Sequence, residues 1–248
     1  MLTYLDLGNY GRLGNQMWQI SSIIGLSKMF DQSYAFPKWK YNNENQFRYP
    51  LRPLPNPNQR WRTYIEQTSY FCIPTIDFRY DWNLKGYFQS PKYFEGSKDL
   101  ITKIFDFGER KQIDYTSIHI RRGDYLSLKH IHLSLIDTDY YDKAINMFPD
   151  TEKFIVFSDD IPWCEKYFFN KYSLSRFLVC QEQDEWKAMK FMSECTNHII
   201  ANSSYSFWSA YLGINKNRRI IYPSRWVNGE TRNDRIPEND PKWEKINI

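Results

Sequence analysis

Apolar and polar positions divide the chain into two parts of different character. In the C-terminal part, short apolar runs alternate with amphipathic segments, whereas residues 34–82 are polar, rich in proline and aromatic side chains, and without long periodic segments. Short apolar runs predict buried strands and amphipathic segments predict helices. Regular alternation of the two is typical of βαβ units around a parallel sheet, so the pattern predicts an α/β protein.

The predicted elements of the C-terminal part alternate along the chain. Its predicted strands cover 117–120, 154–157, 177–180 and 198–201, and its predicted helices cover 139–148, 161–169, 185–195 and 206–212. In the N-terminal part, a strand at 2–7 leads through a glycine-rich turn to a helix at 15–30, and a strand end near Gly86 enters a helix that reaches Phe105. Many nucleotide-binding folds open with such a strand, turn and helix.

The two parts of the chain differ in net charge, which supports two domains, and the overall composition is that of a globular protein. Residues 1–112 carry 15 basic and 10 acidic side chains, and the remainder carries 18 and 19, so the parts have net charges of +5 and −1. We predict an N-terminal domain at 1–110 and a C-terminal domain at 111–248, with the option that the C-terminal tail packs back on the first domain. Charged residues at 25% and hydrophobic residues at 42% are typical of globular proteins and exclude intrinsic disorder.

Targeting, metal and nucleic-acid signals are weak. No apolar run approaches the roughly 20 residues of a membrane-spanning helix, the N-terminus has no signal-peptide pattern, and the four cysteines and four histidines lack metal-ligand spacing. We therefore predict a cytoplasmic protein without a metal or cofactor, and leave open a peripheral position at a membrane face. A net charge of +4 argues against a nucleic-acid partner, although arginines interleave with aromatic residues between Phe47 and Tyr80.

Polar segments follow three of the predicted strands. They are Arg121-Arg122-Gly123-Asp124, Ser158-Asp159-Asp160 and Asn202-Ser203-Ser204-Tyr205-Ser206. Because ligands of open parallel sheets bind beyond the carboxyl ends of the strands, we expect these segments to form a binding site at one sheet edge. The dinucleotide fingerprint G-x-G-x-x-G, the phosphate-binding G-x-x-x-x-G-K-[ST] and the hydrolase motif G-x-S-x-G are absent, which disfavours those three chemistries.

The arginine segment fits a phosphate. The planar guanidinium of arginine matches a phosphate with two parallel hydrogen bonds. Side chains alternate along a strand, so His119 and Arg121 share one face and Arg122 points the other way. We predict that Arg121 binds a diphosphate and offsets the charge of a departing nucleotide. The alternative is a surface ion pair of the R-x-x-D type between Arg121 and Asp124.

The other two segments each allow a binding and a structural interpretation. The carboxylate of Asp159 can accept two hydrogen bonds from the N1–H and amino group of guanine. Alternatively, this segment caps the helix that follows, or Asp159 and Asp160 hold a divalent cation. The hydroxyls of Ser203, Ser204 and Ser206 can bind phosphate at a helix N-terminus, or they simply cap that helix.

Four motifs, in this order, resemble the α-1,2-fucosyltransferases of glycosyltransferase family 11. They are Gly11-Arg12-Leu13-Gly14-Asn15-Gln16-Met17, His119-Ile120-Arg121-Arg122-Gly123-Asp124-Tyr125, Phe157-Ser158-Asp159-Asp160 and Ile200-Ala201-Asn202-Ser203-Ser204-Tyr205-Ser206-Phe207-Trp208. Gly86-Tyr87-Phe88-Gln89-Ser90 and Pro223-Ser224-Arg225-Trp226 are also similar to that family. The resemblance implies a GT-B architecture, in which two Rossmann-like domains face each other across a cleft. It also implies GDP-β-L-fucose as donor, no metal requirement, and inversion at the fucose anomeric carbon.

The resemblance also implies a set of donor-binding residues. Arg121 holds the donor diphosphate, Gly14 and Asn15 approach the donor from the N-terminal domain, and His119 with Asp159 lies near guanine. The complete predicted donor set is Gly14, Asn15, His119, Arg121, Arg122, Asp159, Asp160, Ser203, Ser204 and Ser206.

Asp124 and Arg121 are the predicted catalytic residues. Asp124 would deprotonate or orient the acceptor hydroxyl; its alternative role is to pair with an arginine without touching substrate. Because fucosyl transfer passes through an oxocarbenium-like transition state, stabilising the leaving GDP can matter more than a strong base. Residues 125–137 depart from the family pattern, so the sequence assigns no acceptor contacts there.

The sequence thus predicts an inverting fucosyltransferase that acts on an oligosaccharide or glycoconjugate, at O2 of a galactose. One alternative is fucosyl transfer with another regiochemistry or to another acceptor, including a protein. The other is a catalytically silent module that binds a sugar nucleotide or a glycan.

Overall fold

The computed structural model describes residues 1–56, 59–128, 130–172, 175–230, 233–237 and 239–248. The chain divides into two compact units. Unit 1 comprises Met1–Gly108 with Asp234–Glu238, and unit 2 comprises Glu109–Asn233 with Asn239–Ile248. Each unit carries a parallel sheet with helices, which confirms the α/β fold class. None of the helices in the described ranges is both long and apolar enough to cross a membrane.

Unit 1 contains a three-stranded parallel sheet with the strand order β1-β3-β2. Its strands are β1 (Leu2–Thr3), β2 (Arg62–Ile65) and β3 (Trp82–Lys85), and its helices are α1 (Leu13–Met29) and α2 (Lys98–Ile104). Of the 17 residues of α1, 14 are buried. Two of its buried polar side chains bond to backbone carbonyls: Gln19 Nε2 donates to the carbonyl of Tyr10 at 2.9 Å, and Ser22 Oγ donates to that of Phe88 at 2.9 Å.

Two N-terminal predictions need correction. The strand at 2–7 ends at Thr3, because Tyr4 to Asn9 form hydrogen-bonded turns that still bury Tyr4 and Leu7. The helix predicted to reach Phe105 is two 3₁₀ turns followed by the short α2. The described part of 34–82 is mostly irregular, as predicted, and contains β2, whose largely exposed residues give no apolar period.

Unit 2 contains a six-stranded parallel sheet with the strand order β6-β5-β4-β7-β8-β9. Its strands are β4 (Ile113–Ile120), β5 (Phe154–Ser158), β6 (Phe177–Val179), β7 (Cys195–Ile199), β8 (Ile220–Pro223) and β9 (Trp243–Ile246). Its helices are α3 (Tyr140–Asn146), α4 (Ile161–Lys171), α5 (Glu185–Ser193) and α6 (Ser204–Tyr211). The order reverses between β4 and β7, which is the topological switch point of a Rossmann-like sheet.

The four predicted strands and four predicted helices of this sheet are confirmed, with shifted ends. Ile118, Val156, Ile199 and Ile221 are buried together in the core, as apolar runs in a parallel sheet should be. The last two strands were missed. In the edge strand β9, only the first and last residues are buried, and Glu244 and Lys245 lie between them. Its sequence is therefore not apolar enough to predict a strand.

Candidate active site

Three loops lie side by side at the carboxyl edge of the unit 2 sheet. They follow β5, β4 and β7, which are neighbours in the sheet. Ile120 at the end of β4 pairs with Ser158 at the end of β5, and Ile118 pairs with Ile199 at the end of β7. The strand order therefore brings the three polar segments of the sequence to one edge, and two of them flank the switch point.

Arg121 is held between two carboxylates. Its guanidinium lies 2.5 Å from Oδ1 of Asp124 and 2.7 Å from Oδ2 of Asp159, and its side chain is only 14% exposed. The ion pair with Asp124 that the sequence left open is therefore present, and Asp159 supplies a second partner. Any phosphate bound here shares Arg121 with these carboxylates or displaces one of them.

Arg122 and Asp160 are fixed within the protein. Arg122 Nε lies 2.9 Å from Oδ2 of Asp160, its backbone N–H donates to Oδ1 of Asp159 at 2.9 Å, and its guanidinium lies 3.9 Å from the ring centre of Trp163. Oδ1 of Asp160 accepts the backbone N–H of Trp163 at 3.2 Å. Asp160 therefore caps the start of α4, which is the structural interpretation of this segment.

Gly123 leaves the space that Asp159 occupies. A Cβ atom at this position would overlap Oδ2 of Asp159, the oxygen that contacts Arg121. A side chain here would push Asp159 away from the arginine. The glycine after two arginines is thus the sequence signal of a close approach between two loops.

His119 lies buried at the end of β4. It is 4% exposed, its ring centre lies 5.4 Å from that of Tyr205, and its Nδ1 has no hydrogen-bond partner among the described residues. Burial, and after it the charge of Arg121, lower the pKa of His119 to about 3, while Asp159 acts in the opposite direction. The imidazole is therefore neutral at neutral pH, and Nδ1 can bond a ligand without adding charge.

The serine turn mainly caps α6. Oγ of Ser203 accepts the backbone N–H of Tyr205 at 3.4 Å. Ser206 is fully buried, and its Oγ lies 3.3 Å from the carbonyl oxygens of both Ala201 and Ser203. Capping is thus seen for Ser203, and the Ser206 hydroxyl is used inside the turn. Phosphate binding by Ser203, Ser204 and Ser206 stays a prediction.

Asn202 and Tyr125 tie these loops together, and the sequence assigned neither of them a role. Nδ2 of Asn202 donates to the carbonyls of Leu133 at 2.9 Å and Trp226 at 2.7 Å. The Tyr125 hydroxyl donates to the carbonyl of Asn202 at 2.7 Å, and its ring stacks on His132 at 4.0 Å. These residues position the arginine loop against the serine turn. Their only signal in the sequence was their place inside the motifs.

Gly14 and Asn15 lie in unit 1, in the first turn of α1. Gly14 is buried, and Oδ1 of Asn15 accepts a hydrogen bond from Nε2 of Gln89 at 2.8 Å. Gly11 adopts a φ of +82°, and a Cβ there would lie 2.6 Å from Cβ of Asn15, so only glycine fits beside it. The approach of Gly14 and Asn15 to a donor stays a prediction.

An arginine and carboxylate cluster at the switch point of a parallel sheet is an arrangement of nucleotide-binding α/β proteins. The family model of glycosyl transferase family 11 matches residues 3–247. The chain therefore belongs to glycosyl transferase family 11. The placement of two domains across a cleft, as in a GT-B architecture, stays a prediction.

Relatives of this chain carry names of related activities. The chain is 34% identical over 172 residues to the O-antigen biosynthesis glycosyltransferase WbnK of Escherichia coli, over 60% of this chain and 56% of the relative. It is 36% identical over 186 residues to an α-1,2-colitosyltransferase of Escherichia coli, over 65% and 61%. It is 24% identical over 233 residues to galactoside α-(1,2)-fucosyltransferase 1 of Homo sapiens, over 82% and 63%. The matched region thus spans less than two thirds of each relative's length.

Proposed function

We propose that this chain is an inverting fucosyltransferase that transfers L-fucose from GDP-β-L-fucose to O2 of a galactose in a glycan. Membership of family 11 supports glycosyl transfer. The human relative is named a galactoside α-(1,2)-fucosyltransferase, which supports the galactose acceptor and the α-1,2 linkage. The observation that carries the proposal is the preorganised pair Arg121 and Arg122 at the switch point of the unit 2 sheet.

In this proposal, Arg121 binds the diphosphate of the donor. Asp124 and Asp159 orient its guanidinium, so that phosphate oxygens meet N–H donors already in place. Negative charge grows on GDP as the bond between the anomeric carbon and the phosphate oxygen breaks. A fixed positive group stabilises that charge in the transition state more than in the bound donor.

In this proposal, Asp124 accepts the proton of the acceptor hydroxyl. Its side chain is 43% exposed and contacts Arg121 through Oδ1. In the proposed step, O2 of galactose attacks the anomeric carbon, its proton passes to Asp124, and the electron pair of the broken bond leaves with GDP. In this step the transition-state charge resides mainly on the sugar and the leaving group, so Asp124 would orient the hydroxyl and accept its proton as the new bond forms.

Calorimetric titration with GDP, ADP and UDP tests the donor site. We expect the wild type to prefer GDP, and Arg121→Ala to weaken GDP binding at least tenfold, which is about 1.4 kcal/mol. Arg79→Ala is a matched control, because Arg79 also pairs with an aspartate, Asp77, at 2.7 Å but is 83% exposed in unit 1. It should leave GDP affinity unchanged. Equal binding of the three nucleotides, or full GDP affinity in Arg121→Ala, would contradict the proposal and favour a silent binding module.

Colitosyl transfer is a second candidate, because one relative at 36% identity is named an α-1,2-colitosyltransferase. Colitose is fucose without the 3-hydroxyl, so both donors present the same GDP group to the arginine cluster. Transfer rates with GDP-fucose and GDP-colitose, measured at equal concentration on one acceptor, separate the two. Higher kcat/KM with GDP-colitose would replace the fucosyl proposal.

The partners and location follow from the same proposal. The enzyme would take GDP-fucose and an oligosaccharide or glycoconjugate acceptor, act in the cytoplasm, and need no metal or cofactor. Within the described residues, no group of three or more metal-ligating side chains is found. Transfer that persists in excess EDTA would support the metal-independent mechanism, and transfer restored only by a divalent cation would overturn it.

A further inference from the structure

A second cluster of functional side chains lies in unit 1, at the carboxyl ends of its parallel strands. Glu66 directly follows β2, Tyr87 follows β3, and Tyr10 lies in the loop between β1 and α1. This is the sheet edge at which ligands of parallel α/β folds bind. None of the three has a part in the donor chemistry described above.

Tyr10 and Tyr87 form an aromatic platform. Their ring centres lie 4.8 Å apart with an interplanar angle of 26°, and Tyr87 is 40% exposed. Stacking restricts both rings, so that a ligand binding to them costs little side-chain entropy. Aromatic side chains commonly line ligand sites, and Tyr87 presents part of its side chain to solvent.

Glu66 fixes the chain beneath the platform. Its two carboxylate oxygens accept the backbone N–H groups of Tyr87 at 2.7 Å and Phe88 at 3.0 Å. Gly86 makes this approach possible, because a Cβ there would overlap Glu66. Phe88 adopts a φ of +48°, a strained conformation for a bulky residue. The surrounding contacts therefore hold the loop of Tyr87 in one strained conformation, as is common at binding sites.

Gln89, two residues after Tyr87 in the chain, is held by two polar side chains. Nε of the buried Arg235 donates to Oε1 of Gln89 at 3.0 Å, and Nε2 of Gln89 donates to Oδ1 of Asn15 at 2.8 Å. The charge of Arg235 also acts on Glu66 and opposes the rise in its pKa that burial causes. Gln89 is partly exposed and follows Tyr87 by two residues in the same loop.

We propose that the aromatic platform, together with Gln89, is a subsite for the galactose end of a saccharide. A pyranose presents a C–H face that packs on an aromatic ring and a rim of hydroxyls that bonds to amides and carboxylates. Galactose suits this surface better than glucose, because its axial 4-hydroxyl leaves one face with uninterrupted C–H groups. The inference rests on the proposed function and assigns residues to its acceptor.

Saturation-transfer NMR titrations with lactose, and with cellobiose as the glucose-ended comparison, test the subsite without nucleotide. We expect lactose to bind the wild type more tightly than cellobiose, and Tyr87→Ala to weaken lactose binding at least tenfold. Tyr87→Trp keeps an aromatic face and should bind lactose within about threefold of the wild type. Tyr80→Ala is the matched control, since Tyr80 is a 43% exposed tyrosine of the same unit that packs on Arg62 at 3.5 Å.

The outcomes separate this inference from the proposed function. No lactose binding by the wild type, equal affinity in Tyr87→Ala, or equal loss in Tyr87→Trp and Tyr80→Ala would overturn the subsite. GDP titration of the same proteins reports on the donor site alone, and Tyr87→Ala should keep full GDP affinity. Lactose binding without GDP binding would refute the fucosyltransferase proposal and leave the saccharide subsite standing.

Discussion

Single residues show that the arginines of the candidate donor site are outnumbered by carboxylates, so the cluster carries no excess of positive charge. Arg121 and Arg122 carry two positive charges, and Asp124, Asp159 and Asp160 carry three negative ones. The arginine side chains are 14% and 13% exposed, so they are held rather than free in solvent. In the proposed function, a nucleotide diphosphate would meet oriented N–H donors and would compete with the carboxylates for them.

Two buried histidines make stability depend on pH. Burial lowers the pKa of both His119 and His198 to about 3, whereas an unfolded histidine titrates near 6.5. Between these values the unfolded chain binds more protons than the folded one, so the free energy of unfolding falls as pH falls. From pH 7 to pH 5 we expect a loss of about 2 kcal/mol for each histidine, measured by urea unfolding at both pH values.

His198→Asn provides the check outside the candidate donor site. His198 is fully buried, with Nδ1 2.8 Å from Oγ of Ser117. The variant should lose about 2 kcal/mol less stability than the wild type between pH 7 and pH 5. His130→Asn, at an exposed histidine, should keep the wild-type pH dependence. An unchanged pH dependence in His198→Asn would show that this histidine does not contribute.

Helix α1 illustrates how packing overrides propensity within one element. Helix propensity alone favours alanine over Gly25 by about 1 kcal/mol. A Cβ at Gly25, however, would overlap the carbonyl oxygen of Tyr93 and lie 2.5 Å from Cα of Phe94. Backbone atoms cannot move aside as a flexible side chain can. We therefore expect Gly25→Ala to destabilise the protein by about 1–3 kcal/mol in urea unfolding.

Gly96→Ala is the matched control for this helix. Gly96 is exposed and a Cβ there would meet no atom within 4 Å. This variant should lie within about 1 kcal/mol of the wild type, on the stabilising side if the glycine entropy dominates. If Gly25→Ala and Gly96→Ala had the same free energy of unfolding, the close packing of α1 against residues 93 and 94 would be contradicted.

At the scale of the whole molecule, residues 234–248 are divided between the two units. Arg235 belongs to unit 1 and bonds Gln89, whereas Trp243 in β9 belongs to unit 2 and stacks on Phe207 with ring centres 5.4 Å apart. Trp243→Ala should cost about 3 kcal/mol, as large-to-small core changes do. We expect faster hydrogen exchange of β8 and β7 in Trp243→Ala, and of residues 86–89 in Arg235→Ala. Lys245→Ala, at an exposed position of β9, should change neither region.

The sequence predicts those features of the site that depend on neighbouring residues in the chain. Arg121, Asp159 and Ser203 each follow an apolar strand, so their common sheet edge was predictable from the strand and helix pattern. The ion pair of Arg121 with Asp124 and the capping of α4 were among the alternatives that the sequence offered, and the structure selects them. The second partner of Arg121, Asp159, was not predictable, because it belongs to the loop after the neighbouring strand β5. The bonding of the Ser206 hydroxyl inside its own turn likewise depends on atomic geometry.

Patterns along the chain were enough to predict the α/β class, the alternation of strands and helices in unit 2, and the polar segments that follow its strands. Periodicity and turn residues act over a few neighbouring positions, so they are readable along the chain. Contacts between distant residues are visible only in the folded structure. They include Asp159 with Arg121, Arg235 with Gln89, and the ring of Tyr10 with that of Tyr87. Such contacts form between loops far apart in the chain, and their geometry is set by the register of the strands that end beneath them.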